Sequence, residues 1–491
     1  MVPGMRRTAG IRPNVPAHGS DGQVMELQFC GGARTVTGSQ VLVSVDKATI
    51  LLECGLYQGR REESYARNQN FSFEPSRVEA LMLTHAHMDH SGNVPNLVKK
   101  GFKGAIYATP PTVDLCKIML RDSAYLQMKD VEWVNRIRRR KGENLIEPLY
   151  TIADADAAMD YFVGMEYGKA FSPAKGVEVS FLDGGHILGS ASIRMDAREN
   201  GRTWSVGFTG DIGRPDMPII RDPNKLREID VLIMESTYGD RHHAEHADVE
   251  EHLARLVNET AKGGGRVVIP AFALGRTQLL VYLFHKLHNQ NRIPDIPVFV
   301  DSPLACSATQ VFRKYPELFD RETGRIFLQD ENDPDPFVFN RLKYVSDVEE
   351  SKRLNSLSYP HIVISASGMA EGGRILHHLR NSVGNHRNLL LFVGYAARDT
   401  LARKIMDGQR RVKIFGEEHT IKCRVETIDS FSAHADRREL LDYVAINDPR
   451  RLKHIFLMHG EEDQALSLKD ALRSKGYENV HVPQLNETFK L

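Results

Sequence analysis

Within six residues, His85-Ala86-His87-Met88-Asp89-His90 sets three imidazoles and one carboxylate on a loop that follows an apolar segment, Val78–Thr84. Nitrogen and oxygen donors without a thiolate suit Zn2+ or a similar divalent ion. Crowded on irregular backbone, four such donors can face more than one metal. A divalent ion held there would bring the pKa of a bound water toward ~7 and could take up charge developing on a substrate. Three further segments repeat one theme, a predicted strand followed by a lone His or Asp beside glycine: Gly185-His186, Gly210-Asp211 and His459-Gly460. Taken singly, each is more often a structural residue than a ligand.

The elements that must hold these loops come in two styles. Met25–Cys30, Gln40–Asp46 and Thr49–Glu53 are short β-prone segments between Gly or polar turns, and strands return at Val177–Leu182, Ala191–Asp196, Thr203–Phe208 and Asp230–Met234. Pro111–Gln127 predicts a helix opened by proline, and Val131–Lys141 continues as a basic helix. After Gly239 the rhythm changes. Helix Ala247–Lys262, strand Arg266–Pro270, helix Leu274–Asn289 and strand Val298–Asp301 follow in turn, then strand His361–Ser365, helix Gly372–Asn381 and strand Leu389–Val393. This alternation predicts βαβ units and a mainly parallel sheet. Near Ile428 the first style resumes, and strand Lys453–Met458 and helix Ala465–Lys475 close the chain. Two compact units, one inserted in the other, explain the change and its reversal.

Composition narrows the function classes. At roughly 100–200 residues per domain, 491 residues allow two to four domains. Lys+Arg and Asp+Glu are both 64, so binding to a polyanion must come from a local basic face. Five scattered cysteines without a C-x-x-C pair exclude a disulfide framework and a cysteine-zinc cluster, and fit a reducing compartment. No apolar run approaches the roughly 18 residues of a membrane helix, so no membrane association is expected. Residues 1–24 predict a flexible extension. They lack the apolar core of a secretory signal, so a cytoplasmic protein is expected.

HAHMDH at 85–90, GHILGS at 185–190, FTGDIGR at 208–214 and LMHGE at 457–461, in this order, resemble the metallo-β-lactamase fold. Glu235–Gly239 (ESTYG), Phe272–Arg276 (FALGR), Ser367-Gly368-Met369 and Ser430–His434 (SFSAH) resemble its β-CASP branch, which contains RNA- and DNA-processing nucleases, among them the pre-mRNA 3′-end cleavage endonuclease. The resemblance runs from about Met25 to the C-terminus, and the stretch 111–190 is most similar to the bacterial and archaeal ribonucleases of the branch. It implies an α/β fold: an αββα metallo-β-lactamase sandwich with an inserted β-CASP domain built on a mainly parallel sheet flanked by helices. The expected division is 1–24 extension, 25–240 and 431–491 the two parts of the sandwich, and 241–430 the insertion.

Carried over by motif, His85, His87 and His186 would hold one zinc ion, Asp89, His90 and His459 a second, and Asp211 would bridge both. Asp89, Asp211, Glu235 and His434 would be catalytic. The DNA-directed members typically carry valine at the position of His459, so this histidine points to RNA. One departure stands out: the branch usually has aspartate where this chain has Glu53, in the strand-end segment Leu52-Glu53-Cys54-Gly55. That residue supports the ligand loop from behind, and changes there can cost ~10–100-fold in metal affinity or activity.

For phosphodiester hydrolysis, His434 would protonate the leaving ribose 3′-oxygen with Glu235 orienting it. The products would carry a 3′-hydroxyl and a 5′-phosphate. Arg276, ahead of a helix, could pair with a phosphate. Ser367, Gly368 and Arg374, between a strand and a helix, could receive an anion, and Ser432 lies in the His434 motif. His377 and His378 are adjacent on a helix, so at most one faces the cleft. Basic runs Arg136–Lys141, Gln409–Lys413 and Arg450–Lys453 are read first as solvated faces and second as an RNA track. His242, His243 and His246 are read as a polar entrance to the inserted domain. Hinge opening is expected at Tyr238–Arg241 and Ile428–Ser432. The expected substrate is single-stranded RNA, with endonucleolytic and 5′-to-3′ exonucleolytic modes both open. Relatives of this kind are often dimers and work with protein partners in RNA processing. Competing readings on the same scaffold are a small-molecule metallohydrolase, a DNA nuclease and a catalytically silent RNA-binding subunit.

Overall fold

The computed structural model describes residues 25–491, apart from 47, 60, 200, 244–248, 331–332, 395, 398 and 429–431. The expected extension 1–24, His246 and Ser430-Phe431 therefore lie outside the described residues.

Two seven-stranded sheets face each other. The first runs, edge to edge, Thr488–Lys490, Glu26–Gly31, Gln40–Val45, Ala48–Leu52, Ala80–Met82, Ala105–Ala108 and Phe162–Gly164. The second runs Val480–His481, His454–Met458, Val231–Glu235, Arg202–Phe208, Ala191–Glu199, Val177–Asp183 and Phe171–Ala174. In Glu26–Gly31 half-buried and buried residues alternate, which is the period of a strand covered on one face. Leu27, Phe29, Val41, Val43 and Ile50 of the first sheet meet Phe181, Ile193, Met195, Val206, Ile233 and Phe456 of the second in one apolar layer. Helices Arg437–Val444 and Glu462–Ser474 cover the outer face of the second sheet with Leu440, Val444, Leu468 and Leu472. The result is the expected αββα sandwich.

The inserted unit is a six-stranded sheet in the order Leu342–Tyr344, Val298–Val300, Ile362–Ser365, Val267–Pro270, Leu389–Val393 and Arg424–Ile428. Every neighbouring pair is parallel. Val267–Pro270, Ile362–Ser365 and Leu389–Val393 are buried at every position, as strands with helices on both faces must be. The chain leaves the second sandwich sheet at Glu235 and returns at His454–Met458, and these two strands pair in parallel with Glu235 opposite Met458. The insertion thus departs from and re-enters adjacent strands beside the ligand loops.

One expectation is corrected. The two helices predicted at Pro111–Gln127 and Val131–Lys141 are a single 32-residue helix, Pro110–Lys141, capped by Thr109 and ended by Gly142 at φ 69°. Neither Gly nor Pro interrupts the stretch after Pro111, and the i,i+3 pair Lys129–Glu132 spans the expected break. The first half of this helix packs against the inserted domain's helix Pro303–Lys314, where Lys314 and Tyr315 both contact Asp114. A single apolar cluster holds residues of both units, with Leu115 and Met119 on the long helix and Ala308 and Phe312 on the other.

Candidate metal centre

Five loops converge at one end of the sandwich, four of them leaving the C-terminal ends of strands. His85 to His90 follow Ala80–Met82, His186 follows Val177–Asp183, Asp211 follows Arg202–Phe208 and His459 follows His454–Met458. The fifth carries His434, after the last strand of the inserted sheet. The loops approach so closely that side chains are excluded between them. A Cβ on Gly55 would sit 1.7 Å from the Asp89 carbonyl oxygen, and one on Gly213 1.7 Å from that of Gly185. Glycine at these two positions lets the ligand loops stack backbone on backbone.

The donors form two groups that share one carboxylate. In the first, His87 Nδ1 lies 3.1 Å from His85 Nε2 and 3.3 Å from His186 Nε2. Asp211 Oδ2 stands 3.4 Å from His85 Nε2 and 3.5 Å from His186 Nε2. In the second, His90 Nε2 is 3.2 Å from His459 Nε2, and His459 Nε2 is 3.4 Å from Asp89 Oδ2. Asp211 Oδ1 reaches this group, 3.3 Å from His90 Nε2.

These separations fit zinc. Ligands at 2.0–2.1 Å in a tetrahedron stand about 3.3–3.4 Å apart, the spacing seen here. Burial pushes His85 down to about 3 and His87 down to about 4, and drives His186 well below the usual imidazole range. All three are neutral near pH 7 and carry a lone pair for a metal. Burial alone would raise the Asp211 carboxyl, but the facing imidazoles hold it well below the usual range. Asp211, Glu53 and Glu235 are buried carboxylates, and Asp211 Oδ1 has no hydrogen-bond partner among the described residues. Buried negative charge of this density calls for cations.

Glu53 supports the donors from behind. It ends its strand with a left-handed backbone, φ 65°. Its Oε1 accepts the Thr84 N–H at 2.8 Å, and its Oε2 faces His90 Nδ1 at 3.5 Å. The extra methylene of glutamate is thus accommodated at the end of its strand while both the loop and the ring stay in reach. Thr84 Oγ1 stands 3.0 Å from His85 Nδ1 and orients that ring.

His434 stands over the cluster, its ring centroid 4.7 Å from that of His186. Its Nδ1 lies 3.1 Å from Glu235 Oε2, and the other oxygen of Glu235 accepts the Ile212 N–H at 2.5 Å. Burial would lower the His434 pKa, but the Glu235 and Asp211 charges outweigh it and raise it to about 9. Glu235 therefore ties a protonated imidazole to the loop that bears Asp211.

Three family models match the chain: the metallo-β-lactamase superfamily over residues 33–151, the Beta-Casp domain over 277–405, and the Zn-dependent metallo-hydrolase RNA specificity domain over 418–483. Ribonuclease TTHA0252 of Thermus thermophilus is 35% identical over 455 residues, which cover 92% of this chain and 97% of that protein. The chain belongs to the β-CASP family. Another member of similar sequence, transcription termination factor FttA of Methanocaldococcus jannaschii, is 30% identical over 94% of this chain and 70% of its own length. A solved structure from Enterococcus faecalis V583, described as a protein of unknown function, shares the fold at a TM-score of 0.54 and 13% identity, covering 96% of this chain and all of that one. As a β-CASP protein with these matches, the chain is a metal-dependent hydrolase.

On the inserted side of this β-CASP site, the sequence expectations divide. Arg276 opens helix Arg276–Asn289, and its guanidinium lies over the Gly394 backbone, where a Cβ would come within 3.5 Å of Nη2. Burial lowers its pKa to about 10, with Tyr238 and Arg214 of the sandwich acting on it across the junction. Ser432 is buried beside His434. The Ser367 hydroxyl donates to the Gly372 carbonyl, and Gly368 packs on the Phe272 ring. Arg374 is a correction. Its guanidinium binds Asp301 at 2.7 Å and donates to the carbonyls of Val345 and Ser346, so it braces the fold rather than facing a phosphate. His378 meets the same carboxylate at 2.6 Å, and His377 packs on Phe415.

His243 has a more specific place than the polar entrance expected for it. Its Nε2 donates to the His434 carbonyl at 3.0 Å, its backbone N–H donates to Asp436, and its ring packs on Tyr238. It clamps the loop that carries His434. Nothing in its spacing signals this, because its hydrogen-bond partners His434 and Asp436 lie 191 and 193 residues away.

Proposed function

We propose that the protein is a zinc-dependent ribonuclease that hydrolyses phosphodiester bonds of single-stranded RNA, leaving 3′-hydroxyl and 5′-phosphate ends. The observation that carries this reading is the double donor group around Asp211 with the Glu235–His434 pair beside it. His85, His87 and His186 would hold one zinc ion, Asp89, His90 and His459 the other, and Asp211 would bridge them. Two bound zinc ions would supply a nucleophile from water at neutral pH and neutralise charge on the scissile phosphate.

The chain's own groups do the rest. His434 Nδ1 is held by Glu235, which leaves Nε2 for the leaving group. As water oxygen bonds to phosphorus and the bond to the ribose 3′-oxygen breaks, the His434 proton passes to that oxygen. Glu235 keeps the imidazole charged and aimed, and His243 fixes the height of its loop. Arg276, at the domain junction, would pair with a flanking phosphate. The family's RNA specificity model, His459 and the relative named a ribonuclease favour RNA over DNA.

The test is cleavage of end-labelled single-stranded RNA, matched DNA and a small ester by the zinc-loaded protein, with His434→Ala alongside. The expected result is RNA cleavage that the variant loses, with ligatable 5′-phosphate ends. A 2′,3′-cyclic phosphate product, or turnover of the ester alone, would overturn the reading.

A further inference from the structure

The helix Pro110–Lys141 reaches the core through its first half alone, since no residue beyond Ala124 is buried; its second half is held at Asn135, which exchanges hydrogen bonds with the Ile146 backbone. From there Tyr125, Lys129, Trp133, Arg136 and Arg140 follow at spacings of four, four, three and four, which places them in one stripe along the helix. Tyr125 and Trp133 are 50% and 53% exposed, and Leu126, one helical repeat before Trp133, is 56% exposed. Lys129 Nζ lies 5.9 Å from the Tyr125 ring centroid and pairs with Glu132. Residues 125–141 carry six cations against two acids in a chain with zero net charge. Among the described residues, no acid pairs with Arg136, Arg139, Arg140 or Lys141.

A merely solvated face needs no aromatic rings, and exposed apolar side chains gathered on one face, as Tyr125, Leu126 and Trp133 are here, mark contact sites where single ones do not. Rings and cations in one stripe are the two parts of a single-strand platform: bases stack on the rings while the cations follow the phosphates. At 1.5 Å per residue the stripe is about 22 Å long, enough for several nucleotides. The helix also starts at the metal centre. The Thr109 and Thr112 hydroxyls donate to the Gly189 carbonyl, three residues after His186. The stripe begins about 22 Å along the helix from that point.

We infer that the exposed stripe of this helix is a single-stranded RNA track, remote from the metal centre, that grips substrates too long for the cleft alone. The inference rests on the ribonuclease reading for its substrate, but binding at the stripe can be read without cleavage.

The test is fluorescence anisotropy with the full chain carrying His434→Ala, against a thirty-nucleotide and a six-nucleotide oligouridylate. At about 1–3 kcal/mol per stacked base, a Tyr125→Ala/Trp133→Ala pair should weaken the long RNA roughly 30-fold or more and leave the short one unchanged. Tyr125→Phe/Trp133→Phe should bind as the parent does, which separates stacking from folding. Arg136→Ala/Arg140→Ala should flatten the dependence of log affinity on log salt by about 1.4. Unchanged long-RNA binding in the alanine pair would overturn the inference. So would a dimer, seen by light scattering, that the alanine pair converts to monomer with RNA binding intact, since that assigns the stripe to a second copy. Stripe-dependent binding in a protein whose parent form cuts no RNA would sink the ribonuclease reading and leave the track standing.

Discussion

Replacing Glu53 by glutamine separates the support of the metal centre from the centre itself. Glu53 is fully buried and spans two contacts, the Thr84 N–H at 2.8 Å and His90 Nδ1 at 3.5 Å. Glutamine keeps the length and an oxygen for Thr84. That bond drops from a charge-assisted one, ~1.5–3 kcal/mol, to a neutral one, ~0.5–1.5 kcal/mol, but the change also removes a carboxyl whose pKa burial raises, so the two effects oppose and metal-free stability should change by less than about 1 kcal/mol. The other half of the amide now turns a donor toward His90, whose ring loses the carboxylate that orients it. Losses of this kind weaken metal binding ~10–100-fold, or about 1.4–2.7 kcal/mol, and so outweigh the stability term. The loss should fall on the group containing His90. The group of His85, His87 and His186 should be spared, because Thr84 Oγ1 still holds His85 Nδ1. Zinc titration against a chromophoric chelator reads both steps. The expected trace keeps one tight step and weakens the other. Two unchanged steps, or two equally weakened ones, would refute the role given to Glu53.

His434, raised to about 9, should stay protonated through neutral pH, so the cleavage rate should fall as pH rises through about 9. Glu235→Gln removes the nearest charge holding it up, and the alkaline limb of the pH–rate profile should move toward the ordinary histidine value. His243→Ala should lower kcat about 10-fold with zinc content unchanged, read by turnover and metal analysis on the same sample. Arg374→Ala strips a buried carboxylate of its cation and should cost about 3 kcal/mol in denaturant unfolding. A higher KM for RNA at unchanged stability would instead return Arg374 to the substrate side.

The histidine loop was legible in the sequence because its four donors lie within six residues. His186, Asp211 and His459 carried only a weak local signal each, and the family resemblance joined them. Spacing could not show that Asp211 offers one oxygen to each group, because that depends on how two sheets face each other. Arg374 looked like an anion site from its glycines, but its partner Asp301 is 73 residues earlier on a neighbouring strand end. The apolar helix read at Pro111–Gln127 and the basic one at Val131–Lys141 are one element. The helix leaves the core near that junction, so its sequence no longer needs a buried stripe, yet nothing there stops it.

RNA cleavage measured against zinc bound per chain tests the proposed chemistry most directly. Metal-free protein should be inactive, and activity should rise with the second equivalent of zinc, since Asp211 ties the two donor groups together. Asp211→Asn should lose both the second equivalent and the activity. Full cleavage by the metal-free chain, or none with two zinc ions bound, would contradict a two-zinc ribonuclease.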